Sequence, residues 1–208
     1  MLIEEQDVVS AIDAGQAVVV HGAGEEGGIV FAADRAGIDN TAFAVRHSSG
    51  FLCVALPENR CDELSLPPIA PRARRDTGVI ACVTVDASVG VSTGISAADR
   101  ARAARVLADP SAVAADLTRP GHLVPIAVDL DSPRAGLAQA ALRLVTLSGN
   151  APAAVFAHLV SPADETRMAT GDELRSFAAD HGLPAVPASE LTERRHVDLA
   201  RVGAQSCR

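Results

Sequence analysis

The sequence predicts an α+β domain built on a mixed sheet with flanking helices. Three observations predict it. Apolar runs of strand length and amphipathic runs of helix length follow one another without a strict strand–helix–strand rhythm. No internal repeat appears. Apolar residues make up 48% of the 208, yet aromatics only 2%, so a sizeable core has to be packed from Ala, Val, Leu and Ile. The length fits one domain, placed at residues 1–196, with a tail at 197–208 that lacks an apolar face and is expected to fray.

Each element has its own signal. Residues 4–14 carry Val8, Val9 and Ile12 on one side and end at Gly15, which predicts a helix. Residues 17–20 and 29–33 are short apolar runs, expected as strands, and residues 21–28 between them read as a Gly-rich acidic loop. Asp39 or Asn40 is expected to cap a helix that runs to His47. Residues 51–56 form a strand, and residues 57–64 a short helix with Pro57 at its start. A Pro- and Arg-rich stretch covers residues 67–76.

The β-branched density of residues 78–86, GVIACVTVD, marks the strongest strand signal in the chain. Residues 96–107 form a helix with Ser96 as N-cap and Asp99 three positions on, an acidic version of the capping box. Strands are expected at 123–128, 153–160 and 185–187. Helices are expected at 134–147, at 170–181 behind a Thr170 cap, and from Ser189 onward.

Composition excludes several functions. A formal net charge of -8 argues against a nucleic-acid binder, whose affinity comes from a basic face. It leaves room for a small anionic substrate held in one local basic pocket. Cys53, Cys61, Cys82 and Cys207 form no C-x-x-C pair and no zinc spacing, and read as reduced thiols. No apolar run reaches membrane-span length, and the first residues lack a signal-peptide plan. The expectation is a cytoplasmic protein with neither membrane nor nucleic acid as partner.

Three segments carry a family resemblance. They are STGISAADRARA at residues 92–103, RPGHLVPI at 119–126, and SGFLCVAL at 49–56. In order and spacing they resemble 3,4-dihydroxy-2-butanone 4-phosphate synthase, and weaker similarity runs from residue 4 to 195. The resemblance implies that family's fold, a homodimer with sites at the subunit interface, and the conversion of ribulose 5-phosphate to a four-carbon ketose phosphate plus formate. It also implies Mg²⁺ held by an acidic-loop carboxylate and a histidine, carboxylates for proton transfer, and an arginine for the phosphate. Mg²⁺ takes oxygen ligands and polarises a carbonyl. A carboxylate or imidazole then moves the acidified proton.

The chain departs from that pattern at several positions. The family loop reads roughly Arg-Glu-Asn-Glu-Gly-Asp-Leu, whereas here Ala23, Gly24 and Gly28 replace the arginine, the first glutamate and the aspartate. Glu26 keeps its place, and Glu25 could slide into the lost role; both also read as solvated loop charges. In the second segment Arg134 survives, but Leu137 replaces the metal histidine, Ala138 a threonine and Gln139 a glutamate. His158 stands where the family has a late-strand glutamate; it could transfer protons or simply end the strand. Arg72, Arg74 and Arg75 form a basic cluster, either a solvated loop or an anion-binding wall.

By resemblance, the catalytic candidates are therefore His122, Cys53, Glu26, Glu25 and His158. The substrate-binding candidates are Arg134, Thr93, Asp99, Arg119, Arg74 and Arg75, although Asp99 also fits a capping role. No metal ligand is assigned and no cofactor is expected, since the Mg²⁺ positions are largely replaced. These departures lead to the expectation of a repurposed, metal-independent lyase or isomerase acting on a small anionic carbonyl or polyol substrate. The alternatives are the family's own synthase activity, and a non-catalytic binding or partner subunit.

Overall fold

Strand alternation divides the apolar residues between two faces of one sheet, and the helices follow that division. In the computed structural model, residues 5–23, 26–70, 78–132 and 136–191 are described. The strands are β1 (Val18–Ala23), β2 (Glu26–Ala32), β3 (Cys53–Pro57), β4 (Val79–Ala81), β5 (Val85–Ala87), β6 (Leu117–Val128), β7 (Ala154–His158) and β8 (Ala185–Pro187). The helices are α1 (Glu5–Asp13), α2 (Ile38–His47), α3 (Glu58–Glu63), α4 (Ala97–Ala108), α5 (Leu137–Leu147) and α6 (Gly171–Asp180). The sheet runs β4-β6-β3-β7-β2-β1-β8, with β5 paired to β6 off that path. β3–β6 and β1–β8 are parallel and the other pairs antiparallel. This is the mixed sheet that the sequence predicts.

Successive strand residues point to opposite faces. Ile29 and Phe31 of β2, Val54 and Leu56 of β3, and Val155 and Ala157 of β7 join one cluster with α2, α3, α4 and α6. Val30 and Ala32, Cys53 and Ala55, and Ala154 and Phe156 join the other, with α1 and α5. Helices thus cover both faces. Small residues make this possible: Ala101, Ala103, Ala104 and Ala108 in α4 are buried, as are Ala138, Ala140 and Ala141 in α5. Alanine lets helix and sheet backbones approach closely, which suits a chain with few rings.

Several boundaries differ from the sequence expectations. Residues 21–28 are mostly strand: β1 runs to Ala23 and β2 starts at Glu26, which it pairs. Gly27 and Gly28 are there for close packing. A Cβ on either would run into a carbonyl of the next strand, Val20 O or Ala157 O. The expected strand 78–86 breaks into β4 and β5. Cys82 N–H donates to Pro125 O at 2.9 Å, but Pro125 has no N–H to return, and β5 pairs further back along β6. β6 itself starts at Leu117, ahead of the expected 123, and includes the cis Arg119–Pro120 bond.

Helix caps also move. Gly37 occupies the N-cap of α2, while the Asn40 side chain is turned to Gly15 O. Ser96 caps α4 by accepting Asp99 N–H at 3.1 Å. The Asp99 carboxylate, however, accepts from residues 92 and 94, so only half of the expected box forms. A helical turn begins at residue 188 and reaches the last described residue, Leu191. The expected fraying tail at 197–208 lies outside the described residues.

The start of α6 is tied down by one carboxylate. Glu173 accepts from Arg167 Nη1 and Nη2 at 2.8 and 2.7 Å, from Ser161 Oγ at 2.7 Å and from Thr170 N–H at 3.1 Å. The Arg167 hydrogen bonds, then those of Ser161 and Thr170, hold its carboxyl at about 2, down from an ordinary 4.5. A folded-state value below the unfolded one adds stability that is present above pH 4.5 and is lost as pH falls toward about 2. Thermal melts across that window are therefore expected to show an acid-side fall in Tm that is shallower in Glu173→Gln. Equal slopes in the two proteins would count against this anchor.

Candidate active site

The segment at residues 92–100 folds around Asp99. Its carboxylate accepts Ser92 N–H at 3.1 Å, Ser92 Oγ–H at 2.8 Å and Gly94 N–H at 3.1 Å. These bonds, led by the Ser92 hydroxyl, hold the Asp99 carboxyl below its ordinary value. Gly94, at φ +84°, leans on a second carboxylate: a Cβ there would stand 2.7 Å from His122 Nδ1 and would strike Asp86. Only glycine lets this loop come so near. Thr93 is left exposed beside it.

Behind the loop lies the pair that the motif positions. Asp86 accepts from His122 twice, from its backbone N–H at 2.9 Å and from its Nδ1 at 2.8 Å. The Asp86 carboxylate accepts the Nδ1 proton in this hydrogen bond, which fixes the ring and turns Nε2 away from it. Gly121, one residue earlier, packs its Cα against the Val85–Asp86 backbone, where a Cβ has no room. Arg100, 8% exposed, donates to Gly50 O at 3.3 Å. Burial pulls its guanidinium below the ordinary value, and the Asp86 charge opposes that pull.

A second pair stands across the same end of the sheet. His158 Nε2 lies 3.1 Å from Glu26 Oε2, and the ring meets Phe156 edge-on at 5.8 Å. Cys53 pairs with Val124 of β6 and with Phe156 of β7. His122 lies two residues ahead of Val124 in β6, and His158 two residues beyond Phe156 in β7, so both stand at the end of the sheet where β3 begins. Ser49 N–H donating to His158 O at 3.0 Å ties the segment ahead of β3 to β7 there. Glu26, Cys53 and His158 share strand parity with residues on the α5 face.

Comparison with known proteins now decides the family. The sequence profile of 3,4-dihydroxy-2-butanone 4-phosphate synthase matches residues 6–194. The chain belongs to this family. It is 44% identical over 195 residues to the riboflavin biosynthesis protein RibBA of Rhodococcus jostii, covering 90% of this chain and 47% of that protein. The RibBA protein of Mycobacterium marinum is also 44% identical, over 192 residues, with 90% and 45% covered. The chain thus spans about half the length of these curated relatives. A crystal structure of 3,4-dihydroxy-2-butanone 4-phosphate synthase in complex with two magnesium ions superposes with a TM-score of 0.85 at 32% identity, covering 96% of this chain and 99% of that one. The synthase of Candida albicans gives 0.82 at 34%, covering 93% and 98%. The synthase-like fold expected from the sequence is therefore the fold observed.

The resemblance implied Mg²⁺, and at the position of its histidine the chain carries Leu137. Leu137 opens α5 and faces Gly28: its Cδ2 lies 3.0 Å from the point that a Gly28 Cβ would occupy. A leucine methyl has no lone pair to offer. Among the described residues no three His, Cys, Asp or Glu side chains converge on one point. Gln139 has become structural: it accepts Gly136 N–H at 3.2 Å, donates to Gly78 O at 3.3 Å and is 1% exposed.

The sequence candidates divide into three groups. His122, Glu26, His158, Cys53 and Thr93 come to one end of the sheet. Asp99 and Arg119 each hold their own surroundings together, and Arg119 Nε has no hydrogen-bond partner among the described residues. The Asp99 carboxylate accepts within its loop, and Arg119 donates to Ala114 O, Leu117 O and Leu64 O at 3.2, 3.3 and 2.6 Å. Glu25, Arg134, Arg72, Arg74 and Arg75 lie outside the described residues. Asp86 was missed altogether. Its signal was a lone acid ending an apolar run, and the structure buries it to 7% exposure.

Cys53 is 4% exposed, and burial pushes its thiol up to about 12. A thiol raised in this way is a poor nucleophile, because the thiolate is the reactive form. At pH 8 an excess of maleimide is expected to leave Cys53 unlabelled until the protein is denatured. Peptide mapping that finds Cys53 alkylated in the native protein would restore it as a nucleophile.

Proposed function

We propose that the chain is a lyase that converts ribulose 5-phosphate to 3,4-dihydroxy-2-butanone 4-phosphate and formate, the activity for which its family is named. The observation that carries this reading is the pairing of two histidines with two carboxylates at one end of the sheet: His122 with Asp86, and His158 with Glu26. A ketose rearrangement needs a proton taken beside the carbonyl and a proton returned further along the chain. Two imidazole–carboxylate pairs at one end of the sheet offer one group for each proton. His122 is oriented for this work, with Nδ1–H fixed on Asp86 and Nε2 open. Relatives named for riboflavin biosynthesis at 44% identity support the same substrate class. The phosphate is assigned to Arg134, with Arg74 and Arg75 as further candidates, and no step is routed through a metal.

One observation favours the second reading, a repurposed enzyme on another small anionic carbonyl or polyol substrate. Leu137 packed toward Gly28 gives an apolar wall where the resemblance placed polar groups.

A formate assay on ribulose 5-phosphate, run with Mg²⁺ and with a chelator, separates the two readings. The expected result is formate at roughly 1 s⁻¹ or faster, insensitive to chelation. His122→Ala is expected to cost roughly 10²- to 10⁴-fold in turnover. No formate from the folded protein in either buffer would give the site to the second reading, or to a non-catalytic partner subunit.

The assembly proposed is a homodimer. Phe51, Val89 and Ile95 are 61%, 66% and 57% exposed, and Phe51 and Ile95 flank the site itself. Apolar side chains left bare beside a pocket suit a second copy of the chain. Sedimentation at micromolar concentration is expected to show a dimer, and Phe51→Glu/Ile95→Glu to shift it toward monomer. A wild-type monomer would remove this assembly.

A further inference from the structure

Two thiols that the proposed reaction does not use meet at the far side of β6. Cys61 lies in α3 and Cys82 follows β4. Neither is in a disulfide, and the Cys82 thiol donates to Ile80 O at 3.7 Å. Both line a single cavity of about 160 Å³, together with Asp62, Pro68 and Ile80. They are 2% and 1% exposed, so the cavity is their route to small solutes. We propose that Cys61 and Cys82 are a reversible oxidation site, closing to an intramolecular disulfide when hydrogen peroxide enters this cavity.

The environment acts differently on the two sulfurs. The Cys61 thiol comes first among the influences on Cys82 and pulls it down, with the Ala127 N–H adding to it; burial and Asp62 oppose. Cys82, then burial, pushes Cys61 up. The attack is assigned to Cys82 and the resolving step to Cys61, and trapping of the sulfenic acid decides the order. Cys82 sulfur takes one peroxide oxygen and the O–O bond breaks. The other oxygen leaves as hydroxide and takes up a proton to become water. Cys61 sulfur then attacks Cys82 sulfur, the S–O bond breaks, and the second water departs with the Cys61 proton. Two thiols lose two electrons, and one peroxide becomes two waters.

The link has a structural consequence. Cys61 and Cys82 stand at the two ends of the segment that carries Arg72, Arg74 and Arg75. Both ends are already held close: Leu66 N–H donates to Cys61 O at 2.9 Å, and Pro68 bridges Cys82. A disulfide there closes the segment into a covalent loop. Closure restricts the unfolded chain and raises stability without new native contacts.

The test treats the full chain with hydrogen peroxide and maps its peptides by mass spectrometry, in wild type and in a Cys207→Ser background. The expected product lacks two hydrogens, joins the Cys61 and Cys82 peptides, melts higher than the reduced protein and reverts with dithiothreitol. In Cys61→Ser the Cys82 sulfenic acid is expected to persist and to be trapped by dimedone. Cys53, with its thiol pushed up to about 12, is expected to stay reduced. A Cys82 that goes to sulfinic acid with Cys61 untouched, a pair that stays reduced, or a link through Cys207 would overturn the proposal. Since the wild-type map alone decides between these outcomes, a serine variant that fails to fold does not protect it.

Discussion

Two hydrogen bonds from His122 to Asp86 set the geometry of the site. The backbone N–H holds the strand to the carboxylate, and Nδ1 holds the ring. For that to happen a carboxylate has to sit at 7% exposure within a nearly apolar run, and three other features serve to keep it there. Gly94 brings one loop down onto the pair, and Gly121 brings the β6 backbone against β5. Arg100 places a cation close enough to feel the carboxylate. A buried charge without such partners would be strongly disfavoured. Two of the three segments that carry the family resemblance, residues 92–103 and 119–126, close around Asp86 from either side.

Asp99 and Arg119 show how a motif residue can organise the backbone around a site. Asp99 spends its oxygens on Ser92 and Gly94, and so fixes the loop that covers Asp86. Arg119 caps three carbonyls around the start of β6, including Leu64 O beside α3. Both act through geometry. Their loss would be felt as a misplaced His122, and displacement of a catalytic group by even an ångström is costly.

At the other end of the row, the changes at positions 28, 137 and 139 belong together. Gly28 lets β2 lie close to β7, Leu137 fills the space above it, and Gln139 turns to the α5 cap and Gly78. Each change makes its neighbour easier to accommodate. What remains polar on this side is the Glu26–His158 pair, half open to solvent at the strand end.

The sequence by itself determined the element types and the mixed sheet, and it named His122, Glu26 and His158, which the fold brings to one end of that sheet. Periodicity and long ordered motifs are local signals, and they survive without coordinates. It misjudged the elements whose boundaries depend on neighbours. Glycines at 27 and 28 read as a loop because a sequence cannot say that a carbonyl of the next strand occupies the space of the missing Cβ. Residues 78–86 read as one strand because the break comes from Pro125, 43 residues away in β6 at the Cys82 bond. Only the tertiary structure decided that Asp86 is the partner of His122, that Cys53 is buried, and that Cys61 and Cys82 line one cavity. These facts arise from contacts between residues distant in the chain, and burial and through-space hydrogen bonds leave no periodic trace in a sequence.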